Sequence, residues 1–168
     1  MSQTETFVTH GFGPFFRQDS RYLILGSFPS VRSREASFYY AHPQNRFWKI
    51  LAAIFDDTVP VSTEEKKAFL IRHRIALYDV IESCRITGSS DSSIRDVTVT
   101  DLMPVLGTSH VGARIFANGT RAWDLYRRWQ YPLTGIAAVK LPSSSPANAA
   151  WTLPRLIETW SVAFQLVV

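Results

Sequence analysis

Four short apolar runs, each bounded by turn or polar residues, alternate along the chain with segments of helical periodicity. The runs are RYLILG at 21–26, IALYDV at 75–80, RIFAN at 114–118 and IAAVKL at 136–141. Runs of this length between turn signals are typical of buried strands. Because strands that alternate with helices form parallel sheets covered on both faces, the pattern predicts an α/β protein. We expect a three-layer α/β/α sandwich around a central, mostly parallel four-stranded sheet.

The segments between these runs supply the expected helices. They are predicted over 45–55, 62–72 and 121–129, with a final helix after Thr152. Ser62 and Glu65 have the spacing of a capping box, which marks a helix N-terminus. Thr152 can cap the last helix, and Pro154 falls in its first turn, where proline is tolerated.

The polar stretch Ser83–Val99, with a turn at 88–90, is interpreted as a loop. No repeat or linker interrupts the chain, so residues 1–168 are predicted to form a single domain. The sequence does not open with a basic and then apolar leader, and no apolar run approaches the length of a membrane span. We therefore expect a cytoplasmic protein that does not contact a membrane.

Charge and cysteine content narrow the class of partner. The formal net charge is +4, and the basic residues are scattered rather than gathered in one run. This favours an anionic partner bound in a shaped groove over a tail that binds by bulk charge. Cys84 is the only cysteine, which excludes a disulfide, an iron–sulfur cluster or a cysteine zinc site within one chain. The four histidines are dispersed, and we expect no metal.

Ligands of parallel sheets bind at the carboxyl ends of the strands, which directs attention to the loops that follow them. The first such loop reads GSFPS at 26–30. Its glycine and proline can hold a tight turn that exposes backbone N–H groups, although an ordinary strand–loop turn has the same composition. Its glycines are too few for a phosphate-binding fingerprint.

Two further loops are unusual in composition. The segment SFYYAHPQNRFW at 37–48 gathers tyrosines, a histidine and an asparagine at the entrance to a helix. Asn45 could simply cap that helix, and the tyrosines could be loop packing. The segment LPSSSPAN at 141–148 offers three serines between prolines, which suits contacts to phosphate oxygens, although a flexible surface loop would look the same.

As an ordered set, GSFPS, YYAHPQNRFW and LPSSSPAN resemble the loops of the uracil-DNA glycosylase superfamily. The segments HGFGP at 10–14 and DSSIRD at 91–96 are similar to its hypoxanthine-DNA glycosylase (deoxyinosine glycosylase) branch. The resemblance implies a uracil-DNA glycosylase-like fold and a monomeric base excision repair enzyme without a cofactor. Such an enzyme flips a deaminated base out of DNA and hydrolyses its N-glycosidic bond, here chiefly that of hypoxanthine in deoxyinosine, leaving an abasic site.

The resemblance also assigns roles to individual residues. Phe28 aligns with the asparagine that positions the attacking water in mismatch-specific uracil/thymine glycosylases, so that function must move elsewhere. Asn45 is the expected catalytic substitute, with helix capping as the competing role. Tyr40 aligns with the aromatic residue that stacks on the flipped base. Asp79 stands where relatives place a residue that reads the base edge, and Leu141 replaces a residue that stabilises the leaving group.

Two groups of contact residues follow from the same loops. The base-binding pocket is predicted to comprise Gly26, Ser27, Phe28, Pro29, Tyr40, His42, Asp79 and Asn118. DNA contacts are predicted for Ser30, Arg46, Ser143, Ser144, Ser145 and Asn148. Lys49, Lys66 and Lys67 fall on predicted helices away from the loops, so a monofunctional enzyme without lyase activity is expected. Excision of mismatched uracil or thymine, and damage binding without catalysis, stay open as alternatives.

Overall fold

The computed structural model describes residues 4–87 and 91–166. Within these ranges the strands are β1 Glu5–Thr9, β2 Tyr22–Gly26, β3 Ile75–Asp79, β4 Ile81–Thr87, β5 Arg95–Val99, β6 Ile115–Asn118 and β7 Val139–Leu141. The α-helices are α1 Val31–Ala36, α2 Phe47–Ile54, α3 Thr63–His73, α4 Met103–Thr108, α5 Thr120–Leu125, α6 Tyr131–Thr134 and α7 Leu153–Leu166. None of the described helices is long and apolar enough to cross a membrane.

The central sheet has four parallel strands in the order β3-β2-β6-β7. Consecutive residues Leu23, Ile24 and Leu25 of β2 are all fully buried. Since neighbouring strand residues point to opposite faces, both faces of this sheet are covered. The predicted α/β class, with a parallel four-stranded sheet between helices, is confirmed.

One face of the sheet packs against α2 and α7. Phe116 of β6 stacks on Phe164 of α7 with ring centroids 4.3 Å apart, and Tyr22 of β2 lies 5.2 Å from the same ring. Phe47 of α2 meets Trp160 of α7 edge to face at 6.0 Å. These aromatic contacts fix the start of α2, and with it the loop before α2, against the end of the sheet.

The prediction of a loop over Ser83–Val99 is wrong. Most of this segment forms β4 and β5, which join β1 in an antiparallel sheet of order β1-β4-β5. The strands are polar because most of their side chains face outward, with Cys84 and Ile86 buried between exposed or half-buried neighbours. The turn predicted at 88–90 lies outside the described residues.

Element boundaries differ from the sequence expectations in smaller ways. The predicted helix over 121–129 is α5 followed by a π-helical turn, Tyr126–Gln130, and then α6. The last strand begins at Val139 rather than at residue 136. The predicted start of the second helix at Ser62 is confirmed, because the Glu65 backbone N–H donates to Ser62 Oγ at 3.1 Å.

Candidate active site

A cleft of about 1170 Å³ opens at the carboxyl ends of the parallel strands. The predicted residues that line it are Gly26, Ser27, Phe28, Pro29, Ser30, Tyr40, His42, Asn45, Asp79, Asn118, Ser143, Ser144, Ser145 and Asn148. Loops far apart in sequence are therefore brought together, as the strand-end rule predicts. Of the predicted site residues, Arg46 alone does not line this cleft.

A hydrogen-bonded chain of three side chains crosses one wall of the cleft. Ser144 donates its hydroxyl to Asn45 Oδ1 at 2.8 Å. The Asn118 amide clasps Ser144 from the other side: Nδ2 donates to Ser144 Oγ, and Oδ1 accepts from the Ser144 backbone N–H, both at 3.0 Å. The end of β6, the loop after β7 and the entrance to α2 are thereby locked together.

The same contacts fix the orientation of the Asn45 amide. Its Oδ1 also accepts the backbone N–H of Phe47 at 3.0 Å, so the helix-capping role is real. Both lone pairs of this oxygen are then occupied. Nδ2 has no partner among the described residues, and it is the group that Asn45 offers to the cleft as a hydrogen-bond donor.

Ser144, for which a DNA contact is predicted, lies buried in the cleft wall, and that contact stays a prediction. Only 1% of the residue is exposed, and its hydroxyl is engaged between Asn45 and Asn118. Its neighbours shape the loop: Ser143 Oγ accepts from the Ser145 N–H, and Ser145 Oγ accepts from the Ala147 N–H, each at 3.1 Å. DNA contacts by Ser143, Ser145 and their neighbours stay predictions.

The Arg46 guanidinium holds the loop after β7 through hydrogen bonds to backbone carbonyls. Nη2 donates to the carbonyl oxygens of Ser145 at 2.6 Å and Asn148 at 3.1 Å, and Nη1 donates to that of Trp151. Nε donates to the Ser144 carbonyl at 3.4 Å. The guanidinium is thus occupied by backbone carbonyls, while the DNA contact expected of this residue stays a prediction.

The remaining predicted residues have local partners as well as cleft positions. Ser30 Oγ caps α1 by accepting the Ser33 N–H at 3.1 Å, and His42 Nδ1 accepts the Gln44 N–H at 3.1 Å. Phe28 is half-buried, with the Arg34 guanidinium 5.5 Å from its ring centroid.

Tyr40 lines the cleft and has a buried hydroxyl group. Its ring stacks on Phe47 at 3.8 Å, and its backbone has a positive φ of 52°. The hydroxyl oxygen is buried, and no group of the described structure meets the distance and angle of a hydrogen bond with it. Burial, reinforced by the charge of Asp79 and opposed by the nearby Asn118 amide, raises the pKa of the Tyr40 phenol, so the group keeps its proton and can donate.

A buried histidine–carboxylate pair lies beside Tyr40. His10 Nε2 is 2.8 Å from Asp79 Oδ2, and the two residues are 1% and 4% exposed. Asp79 Oδ1 and the Tyr40 hydroxyl both crowd Gly26: a Cβ there would collide with the carboxylate and lie 3.3 Å from the phenol oxygen. Gly26 is therefore required by close approach of side chains.

His10 was missed as a site residue, although the HGFGP segment that contains it contributes to the family resemblance.

Four cationic side chains that line the cleft were also given no site role from the sequence: Arg32, Arg34, Arg121 and Lys140. None of these four forms an ion pair with a described residue. Asp79 is the single carboxylate among the described lining residues, so the cleft attracts an anion. Within residues 4–87 and 91–166, no group of three or more histidine, cysteine or carboxylate side chains could hold a metal ion.

Comparison with known protein families shows the family to which the chain belongs. The family model described as the Uracil DNA glycosylase superfamily matches residues 14–163. The chain belongs to the uracil DNA glycosylase superfamily. The matched residues include every strand of the parallel sheet and the loops that line the cleft.

The chain is also similar to two curated proteins and to a solved structure. A protein of Methanosarcina acetivorans named "Hypoxanthine DNA glycosylase" is 31% identical over 162 residues, which is 94% of this chain and 99% of that protein. A protein of the same name from Methanosarcina barkeri is 34% identical over 87 residues, covering 51% of this chain and 55% of that protein. The solution NMR structure of a candidate uracil DNA glycosylase from Methanosarcina acetivorans has a TM-score of 0.76 and 28% identity, over 97% of this chain and 100% of that one.

Proposed function

We propose that the protein is a DNA glycosylase that excises a flipped-out deaminated base, chiefly hypoxanthine from deoxyinosine. The observation that carries the proposal is the Asn45 amide, whose Oδ1 is held by Ser144 and Phe47 and whose Nδ2 is left to donate at the cleft. Relatives named for hypoxanthine excision support the choice of base. DNA is the partner, and the sequence-based expectations of a monomeric, cytoplasmic enzyme without cofactor go with this proposal.

The walls of the cleft suit a nucleotide turned out of a duplex. Tyr40 has one ring face covered by Phe47, which leaves the opposite face to stack on a base. The exposed cations Arg32, Arg121 and Lys140 stand at the same cleft, where phosphates on either side of the flipped nucleotide would pass.

Cleavage of the glycosidic bond needs stabilisation of charge more than a strong nucleophile. The sugar becomes oxocarbenium-like as negative charge moves onto the departing base, so a fixed donor beside the base lowers the barrier. Asn45 Nδ2 is such a donor, either to an acceptor atom of the base or to the oxygen of the attacking water. Phe28 carries no group that could activate water.

A monofunctional mechanism is part of the proposal. Lys140 lines the cleft, a position that the sequence did not indicate, with Nζ 5.0 Å from the Trp123 ring centroid. We assign it to phosphate contact rather than to attack on the sugar. Borohydride should therefore trap no covalent protein–DNA adduct during excision, whereas a trapped adduct lost in Lys140→Gln would show lyase chemistry.

The direct test is cleavage of labelled duplexes that each contain one deoxyinosine, deoxyuridine, deoxyxanthosine or G·T mismatch, with alkali to reveal abasic sites. We expect strong cleavage at deoxyinosine that Asn45→Ala reduces by about 10² or more. Preference for deoxyuridine or the G·T mismatch would instead identify a mismatch-specific uracil or thymine glycosylase. Tight binding without cleavage of any duplex would identify a damage-binding protein and overturn the proposal.

A further inference from the structure

We infer that His10 is a positioning residue: it anchors one oxygen of Asp79 and thereby presents the other to the cleft as a hydrogen-bond acceptor for the ring N–H of a lactam base. This deepens the proposed function and rests on it for the choice of bases. Neither the histidine nor its pairing with the aspartate is required by the chemistry described above.

The pair is built to hold one geometry. His10 Nε2 lies 2.8 Å from Asp79 Oδ2, and because a carboxylate only accepts, the ring nitrogen donates. The His10 backbone N–H donates to the Glu82 carbonyl at 2.7 Å. Its ring packs against Phe12 at 4.6 Å and Tyr78 at 5.1 Å between centroids. The donor is therefore fixed by backbone and aromatic contacts together.

The second carboxylate oxygen is left for a ligand. Asp79 lines the cleft, and no donor among the described residues reaches Oδ1 within hydrogen-bond distance. The Tyr40 hydroxyl is buried without a hydrogen bond of acceptable geometry, with the Asn118 amide near it, and both this hydroxyl and Asp79 Oδ1 approach Gly26. A buried polar group without a hydrogen bond is rare and costly, and one that lies beside an unengaged carboxylate oxygen at the cleft indicates a site that a ligand completes.

The chemistry of the two groups defines what they recognise. Asp79 offers an acceptor and Tyr40 a donor, which matches a ring N–H beside a carbonyl. Hypoxanthine, xanthine and uracil present that lactam edge, whereas adenine presents a ring acceptor beside an amino donor. The pair therefore distinguishes deaminated bases from adenine, since a mismatched edge leaves buried polar groups unpaired. Guanine shares the lactam, so its amino group must be excluded by other walls of the cleft.

A histidine at position 10 has an energetic cost that fits a positioning role. Its Nδ1 is buried without a hydrogen-bond partner in the described structure. A phenylalanine would fill the aromatic surroundings without that cost, but it would leave Asp79 Oδ2 unpaired and free to rotate toward or away from the cleft. The presence of a histidine is therefore explained by its effect on the orientation of the Asp79 carboxylate.

Three variants separate this role from a structural one. His10→Gln keeps a side-chain N–H donor at comparable reach, His10→Phe removes it, and Asp79→Asn lets the amide oxygen accept from His10 while its NH2 turns to the cleft. His73→Phe is the matched control, because His73 Nε2 pairs with Asp57 Oδ2 at 2.7 Å and packs on Phe69 away from the cleft. Thermal unfolding of all four variants measures the structural contribution.

The readouts are binding of free hypoxanthine and free adenine by calorimetry, and single-turnover excision of deoxyinosine against deoxyadenosine. The wild type should prefer hypoxanthine. His10→Phe and Asp79→Asn should each weaken hypoxanthine binding by about tenfold or more, and Asp79→Asn should narrow the preference over adenine. His10→Gln should restore most of the preference, and His73→Phe should lower stability without changing it.

The outcomes distinguish this inference from the proposed function. Suppose that the wild type, His10→Phe and Asp79→Asn all excise deoxyinosine with the same preference over deoxyadenosine. The inference is then overturned, and the proposed function stands. Suppose instead that no duplex is cleaved, but that the preference for free hypoxanthine is lost in His10→Phe and kept in His10→Gln. The proposed function then fails, and the inferred role of His10 in base recognition stands. Equal binding of hypoxanthine and adenine by the wild type would also overturn the inference.

Discussion

Asn45 illustrates how local hydrogen bonds decide the chemistry of one side chain. Its Oδ1 is filled by the Phe47 N–H and the Ser144 hydroxyl, so only Nδ2 faces the cleft. Asn45→Asp, which replaces this donor by a carboxylate oxygen, should therefore reduce the single-turnover rate by about 10² or more, like Asn45→Ala. Rates are compared on a duplex that contains deoxyinosine.

Gln44→Glu is the matched control, because it makes the same isosteric change at the exposed neighbouring residue. It should leave the rate within a few-fold of wild type. Retention of wild-type activity by Asn45→Asp would mean that the side chain works as an acceptor for water, against the orientation described here.

At the residue scale, the sequence could place Asn45, Tyr40 and Asp79 because each belongs to a loop that ends a recognisable strand or opens a helix. It could not supply partners that are remote in the chain. Ser144 lies 99 positions from Asn45, and His10 lies 69 from Asp79. A serine that orients an amide and a serine that binds phosphate look the same in sequence, so the hydrogen bond from Ser144 to Asn45 could not be predicted.

At the scale of elements, the loop after β7 depends on the residue that precedes α2. Arg46 donates to carbonyls of Ser144, Ser145, Asn148 and Trp151, a set that a single ammonium group cannot reach at once. Arg46→Lys should expose residues 142–151 to proteolysis and reduce excision by about tenfold or more, because the Asn45–Ser144 contact loosens. Arg128→Lys, on the π-helical turn, should change neither measurement.

The end of α3 carries a contact with a defined pH dependence. Hydrogen bonds from His73 Nε2 at 2.7 Å, from Arg72 at 2.9 Å and from the Thr58 N–H at 2.7 Å lower the pKa of Asp57 below its ordinary value of 3.8. The folded pKa is depressed, so the stabilisation is complete above 3.8 and is lost as pH falls through the folded pKa.

Asp57→Asn should therefore lower the free energy of unfolding at neutral pH, and its deficit relative to wild type should shrink below pH 3.8. Urea unfolding across a pH series measures this difference. A deficit that stays constant with pH would mean that the carboxylate charge contributes nothing.

The elements differed in how far the sequence could predict them. Strands β2, β3 and β6 are buried on both faces and have continuous apolar runs that require no knowledge of their neighbours. The strands β4 and β5 are polar on their outer face and exist because β1 pairs with β4 across the chain. Pairing of that kind is a tertiary effect, and periodicity within the segment cannot report it.

At the scale of the molecule, the distribution of charge matters more than the total. A net charge of +4 is modest, but Arg32, Arg34, Arg121 and Lys140 are gathered at one cleft. Arg121→Gln and Lys140→Gln should each weaken binding to undamaged DNA and reduce the slope of log K against log salt by about 1. Lys49→Gln, exposed on α2 and outside the cleft, should leave the slope unchanged.

The long sequence separations within the cleft bear on how the protein acquires activity. During synthesis His10 emerges before its partner, so it has no carboxylate to hold until β3 is complete. Asn45 likewise stays unconstrained until the segment after β7 has been made. Contacts this distant are made late, since loop closure opposes them until the rest of the chain is ordered. Partly folded chains would thus bind DNA through their cationic side chains without excising a base. Only molecules that have finished folding would contribute to the measured excision activity.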